Sequence, residues 1–136
     1  MNKKKEFSIS KEELKWLGMD LDKTIAHSEY PDFKLKNPIE GAKEELDKFT
    51  KEGWKIVIHT SRPWSDYDII EKWLIKHQIP FRRIVCGKLF ARFYFDDRGI
   101  GYRGNWKNTA REFRRLLRSY NNLIKRKKVG KRSSLK

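Results

Sequence analysis

Residues 19–25 read MDLDKTI. Two acids, Asp20 and Asp22, stand inside what otherwise reads as a buried strand: Trp16, Leu17 and Met19 precede them, Leu21 separates them, and Ile25 follows. A carboxylate is among the side chains least often buried without a partner, because stripping away its water is costly. Along a strand, residues i and i+2 point the same way. The two acids are therefore expected to converge on one spot, and something cationic is expected there.

Working outward, LKWLGMDLD (14–22) predicts the first strand. The stretch after it, TIAHSEYPDFKLKN, has no helical period and contains Pro31, which predicts a loop or small hairpin flap. NPIEGAKEELDKFTKEG predicts a helix with Asn37 as cap, Pro38 at its first position and Gly53 as terminator, its apolar stripe being Ile39, Ala42, Leu46 and Phe49. WKIVIHT is a short β-branched run and predicts a second strand. SDYDIIEKWLIKHQIP predicts a second helix capped by Ser65 or Asp66, RRIVCG a third strand, and ARFYFDDRG a fourth, ending in Asp96 and Asp97. A last helix is expected from about Asn105 to Ile124. Strands alternating with helices predict an α/β fold, a Rossmann-like open and mostly parallel sheet with helices on both faces. Ligands of such sheets bind at the C-terminal ends of the strands, where Asp20, Asp22, Thr60, Ser61, Lys88, Asp96 and Asp97 all fall.

The 136 residues suffice for one core. The expected division is a polar leader at 1–13, a catalytic domain with a basic C-terminal helix at 14–124, and a basic, disordered tail at 125–136. No run approaches the ~18 apolar residues of a membrane span, and no apolar run of signal-peptide kind follows the basic N-terminus. The lone Cys86 cannot form an internal disulfide, which fits a reduced, cytoplasmic setting. Charge is uneven. Residues 98–136 hold 14 Lys or Arg and one acid, Glu112, whereas residues 1–97 hold 19 against 17, together giving the net +15. A segment so basic favours anionic partners, with DNA or RNA contact as one reading and a solvated helix face with a frayed tail as the plain one.

Several carboxylates at one rim suit a hard divalent cation, and Mg²⁺ with waters takes one or two carboxylates plus a phosphate. A lysine and a hydroxyl beside it can bind the remaining phosphate oxygens, the charge neutralisation that phosphoryl transfer requires. An Asp can also act as nucleophile, forming an aspartyl-phosphate. The order of motifs discriminates among such sites: Asp-x-Asp-x-Thr, then Thr, then Lys, then Asp-Asp. With DLDKT first, IVIHTS second, Lys88 third and FYFDD fourth, residues 15–106 resemble the haloacid dehalogenase superfamily of phosphotransferases. The resemblance implies that Asp20 attacks phosphorus and binds Mg²⁺, while Asp22 acts as general acid and base and touches the metal through its main-chain carbonyl. It implies that Thr60 binds a phosphate oxygen, that Lys88 steadies Asp20 and the phosphoryl charge, and that Asp96, with Asp97 close by, completes the metal site. Lys23 departs from the pattern, since many members carry Gly there.

Each residue has a plainer alternative. Asp20 and Asp22 could end a strand in solvent, Thr60 could cap the loop before Pro63, and Lys88 could be a surface lysine. Ser61 is the bystander of its pair, His59 is expected to be structural, and His27 lies in the flap. Trp64, beside Arg62 and Pro63, is the tryptophan placed to meet a ligand. About a dozen residues separate Thr24 from the first helix, and the 27 between Thr60 and Lys88 are used by a helix and a strand. No cap domain is expected, and the pocket should be open. The implied function is a Mg²⁺-dependent phosphomonoesterase working through an aspartyl-phosphate, with a 3′-phosphate at a polynucleotide end as one substrate. The alternatives are a small nucleotide or sugar phosphate, a non-catalytic nucleic-acid-binding module on the same scaffold, or an assembly protein that packs through the last helix. The oligomeric state is left open.

Overall fold

The structure of the protein, a computed structural model, describes residues 10–133. The chain divides after Arg92 into two compact units, each taken by itself.

The first unit is built on three parallel strands, β1 (Trp16–Met19), β2 (Lys55–His59) and β3 (Arg83–Val85), in the order β1-β2-β3. Gly18 lies opposite Val57, and Ile58 lies opposite both Met19 and Ile84. Helix α1 (Ala42–Lys51) connects the first two strands and α2 (Tyr67–Lys76) the next two. Ile56, Val57 and Ile58 are buried in succession, so both faces of β2 are covered. Leu46 and Phe49 of α1, with Ile70, Trp73 and Leu74 of α2, complete the core with Leu21, Ile25 and Ala26. The α/β, parallel, open-sheet architecture expected from the sequence is present.

Several boundaries differ from expectation for local reasons. Strand β1 stops at Met19, leaving both acids beyond it. Helix α1 begins at Ala42 after Gly41, whose φ of 85° breaks the helical path, and not at Asn37. Pro38 forms an antiparallel bridge with Ala26, and the Ile39 amide donates to Ile25 O at 2.7 Å, so this stretch closes the flap instead of opening the helix. His27 and residues 36–37 exchange two more backbone hydrogen bonds of 2.9 and 3.0 Å, which makes the flap a small hairpin. Trp73 Nε1 donates to Lys36 O at 2.7 Å and fastens it to α2.

The expected fourth strand at 91–99, most of which lies in the second unit, is not formed. A strand exists only through pairing with another, and the second unit contains no strand to pair with among the described residues. The aromatic run keeps its β-favouring composition without a ladder, and Phe95 is fully exposed. Helix α3 (Trp106–Ser133) starts at Asn105, whose Oδ1 accepts the Asn108 amide at 2.9 Å. It runs on through 125–133, part of the tail expected to be disordered, while residues 1–9 of the leader and 134–136 lie outside the described residues. Trp106 and Ala110 are buried, whereas Leu116, Tyr120 and Leu123 are exposed. No helix among the described residues is long and apolar enough to cross a membrane.

Ile58 is fully buried at the centre of the middle strand. Ile58→Ala is expected to cost about 2–5 kcal/mol of stability, read as a lowered urea midpoint at unchanged m-value. A loss under 1 kcal/mol would contradict this placement of the core.

Candidate active site

The sequence-expected residues of the first unit gather at the C-terminal tips of its strands. Asp20 follows β1 directly, Thr60 follows β2 directly, and Lys88 comes three residues after β3. The pairing of β2 with β3 continues past both strand ends: Thr60 N donates to Val85 O at 2.9 Å, Lys88 N to Thr60 O at 3.0 Å, and Gly87 N to Arg62 O at 2.9 Å. These bonds set Thr60, Ser61 and Arg62 beside the Val85–Lys88 segment. Thr60 is almost wholly buried, and its Oγ1 accepts the Arg62 amide at 3.1 Å. His59 records the neighbourhood electrically. Its proton affinity is lowered first by burial and then by the charge of Lys88, with Asp20 pulling the other way. Lys88 and Asp20 thus both lie within electrostatic reach of one imidazole.

The two acids of DLD do not share one partner. The Asp20 carboxylate, half-buried, accepts the Leu21 amide at 2.9 Å through Oδ1 and the Thr24 hydroxyl at 3.3 Å through Oδ2. Asp22 is gripped by Arg62, whose Nη2 donates to Oδ1 at 2.7 Å and whose Nε donates to Oδ2 at 2.9 Å. The Ser28 hydroxyl donates to the same Oδ1 at 2.7 Å. The same-side argument for positions i and i+2 fails because β1 has ended: the chain turns at Leu21, whose carbonyl accepts the amides of Thr24, Ile25 and Ala26. Lys23 sits in that turn with φ of 62°, the left-handed conformation that glycine adopts freely.

Arg62 was not recognised as a site residue from sequence. It is 15% exposed, reaches Asp66 Oδ2 at 3.3 Å through Nη1, and also donates to the Phe33 main-chain carbonyl. The Asp22 hydrogen bonds are the first cause of its raised proton affinity, opposed by burial. A signal was available: an arginine next to a buried strand end must find a carboxylate. The partner lies forty residues away, which no local pattern reveals. Ser28, buried in the flap, was likewise missed.

Asp96 and Asp97 belong to the second unit and are exposed. Asp96 Oδ1 accepts the Arg98 amide at 2.8 Å, and Arg98 Nε lies 3.8 Å from Asp97 Oδ1. Among the described residues no group of three or more His, Cys, Asp or Glu side chains is gathered in a way that could hold a metal ion. In the first unit the Asp22 side chain is taken by Arg62 and Ser28, which leaves the Asp20 carboxylate as the acid of the DLD pair without a cationic side chain in hydrogen-bond contact among the described residues.

Fold and rim together define an α/β protein with a polar site at the tips of a parallel sheet. No protein-family model matches the chain, and no curated protein matches it. Two solved structures are similar. One, a structural-genomics target from Vibrio cholerae, is 28% identical over 78% of this chain and 98% of its own, with a TM-score of 0.60. The other, a conserved protein from Bacteroides thetaiotaomicron, is 21% identical over 74% of this chain and 90% of its own, with a TM-score of 0.55. The second likeness is one of fold alone.

Removing Arg62 strands a partly buried carboxylate. Arg62→Ala is expected to cost about 1–3 kcal/mol, and Arg62→Lys to recover less than half of that, because an ammonium cannot make the two-pronged contact. Thermal unfolding checks both. A Lys variant as stable as the wild type would contradict the fork.

Proposed function

We propose that the protein is a phosphomonoesterase of the haloacid dehalogenase type, with Asp20 as nucleophile. The observation that carries this reading is the pairing of the Thr60 and Lys88 segments at the strand tips, beside the neighbouring strand end that Asp20 follows. An ammonium, a buried hydroxyl and a half-buried carboxylate are the groups that phosphoryl transfer requires.

The roles are those that the motif resemblance implies. A carboxylate oxygen of Asp20 attacks phosphorus and the bond to the leaving oxygen breaks; proton donation to that oxygen is the role the resemblance gives Asp22, which must first leave the Arg62 fork and take up a proton from solvent. Water then attacks the aspartyl-phosphate, gives its proton to Asp22, and inorganic phosphate departs with Asp20 restored. Thr60 and Lys88 hold the phosphoryl oxygens in both steps, Ser61 lies beside them, and Arg62 with Ser28 fixes the Asp22 carboxylate in place. Mg²⁺, which would neutralise phosphate charge, would be held in the first unit by the Asp20 carboxylate, the residue to which the motif order gives that role. The short connections support a capless, open site. An open site encloses a small ligand poorly but admits the end of a large one. With fourteen basic residues in 98–136, this favours a phosphate at a DNA or RNA end, held by contacts that carry little sequence information. A reducing, cytoplasmic setting, suggested by the single buried Cys86, belongs to the same reading.

With a generic aryl phosphate and Mg²⁺, Asp20→Asn is expected to lower turnover by about 10³-fold or more, and Lys88→Ala by about 10²–10³-fold. Chelation of the metal should stop the reaction. Equal background rates in wild type and Asp20→Asn would leave a non-catalytic binding module as the better account. Deleting residues 125–136, which hold seven basic side chains, should leave aryl phosphate turnover intact, weaken oligonucleotide binding and flatten its salt dependence. Unchanged binding would remove the polynucleotide preference.

A further inference from the structure

Five tryptophans are present, and their exposure separates them. Trp73 and Trp106 are buried at 7% and 3%, Trp16 and Trp54 are half-buried, and Trp64 alone is exposed, at 58%. Trp64 is nonetheless held in place. Tyr67 lies nearly parallel to it, with ring centroids 6.3 Å apart and planes 15° from each other. On another side the indole approaches the Gly87 backbone so closely that a Cβ there would stand 3.4 Å from Trp64 Nε1. Gly87 donates its amide to Arg62 O and immediately precedes Lys88, whose amide donates to Thr60 O. A large, ordered, solvent-facing aromatic surface therefore lies one residue from the proposed phosphate-binding lysine. The indole contributes little to the core, so burial gives it no role. A flat, apolar surface of this kind takes another flat ring, because every nucleobase offers a π-face whatever its sequence.

We infer that Trp64, backed by Tyr67, is a stacking platform for a nucleobase of the substrate, whose phosphate lies at Thr60 and Lys88. The substrate class is thus a nucleotide carrying a phosphate monoester, either free or at the end of a polynucleotide, and not a sugar phosphate. This rests on the phosphatase reading and narrows it.

The test uses the full chain and three probes: glycerol 2-phosphate, adenosine 3′-monophosphate and a 3′-phosphorylated trinucleotide. KM and kcat are measured for wild type, Trp64→Ala and Trp64→Phe, and binding of each probe is followed by calorimetry. Trp64→Ala should raise KM and Kd for the nucleotide probes by about 5- to 100-fold. It should leave kcat within about twofold and leave glycerol 2-phosphate unaffected, with Trp64→Phe restoring most of the loss. Equal losses on both nucleotides mean that a mononucleotide fills the platform, and a loss confined to the trinucleotide assigns it to a polynucleotide end; either supports the inference. Unchanged nucleotide parameters in Trp64→Ala, with turnover of glycerol 2-phosphate intact, would overturn the platform and spare the phosphatase. Failure of the wild type to bind or hydrolyse all three probes would overturn both. An exposed indole makes a folding defect a minor concern, and an unchanged melting temperature of Trp64→Ala controls for it.

Discussion

A single guanidinium holds the rim of the first unit together. Arg62 takes Asp22 in a two-pronged grip, reaches Asp66 at the start of α2, and donates to the carbonyl of Phe33 in the flap. Asp22 and Phe33 come from the connection between β1 and α1 and Asp66 from the one between β2 and α2, and each would otherwise be a carboxylate or carbonyl seeking a donor at the edge of the core. Asp66 shows the competition directly. It occupies the cap position of α2 yet makes no side-chain capping bond to the helix, its carboxylate being turned to Arg62. A lost cap costs roughly 1 kcal/mol, and a charged hydrogen bond inside a low-dielectric rim offsets it. The positions of Asp22, the flap and the α2 entrance are therefore not independent.

The sheet supplies the other constraint. Because β2 and β3 go on pairing after their regular parts end, the Thr60 hydroxyl and Lys88 are placed by backbone hydrogen bonds and not by side-chain preference. Regular backbone pairing positions residues more firmly than a loop could. The separation of Thr60 from Lys88 is set by the same ladder that sets the core. Asp20 is less tightly determined: it enters from the neighbouring strand end and is held by its own loop through Leu21 and Thr24.

What the sequence made legible was what depends on local pattern. The β-branched run of β2, the stripes of α1 and α2 and the polar residues at strand ends could be read from neighbours alone. What failed depended on distant partners. Pro38 looked like a helix start, but Ala26 claimed its backbone for a bridge. ARFYFDDRG had the composition of a strand and no ladder to join within its unit. Arg62 looked like one more basic residue before a proline, because its carboxylate lies forty positions back. The predicted convergence of Asp20 and Asp22 was right about the need for a cation and wrong about its sharing: Asp22 received an arginine of the chain itself.

The φ of 62° at Lys23 has a bearing on how such loops vary. An L-residue in this region crowds its own Cβ against the backbone, a burden of ~1–2 kcal/mol that glycine escapes. Position 23 is therefore a filter on backbone angle and not on side-chain chemistry. Glycine and asparagine pass it, straight-chain residues such as lysine pass at a cost, and valine, isoleucine and threonine, branched at the crowded carbon, are turned away. Whatever substitutions this stretch accepts, the permitted alphabet is ruled by torsion before it is ruled by charge or size.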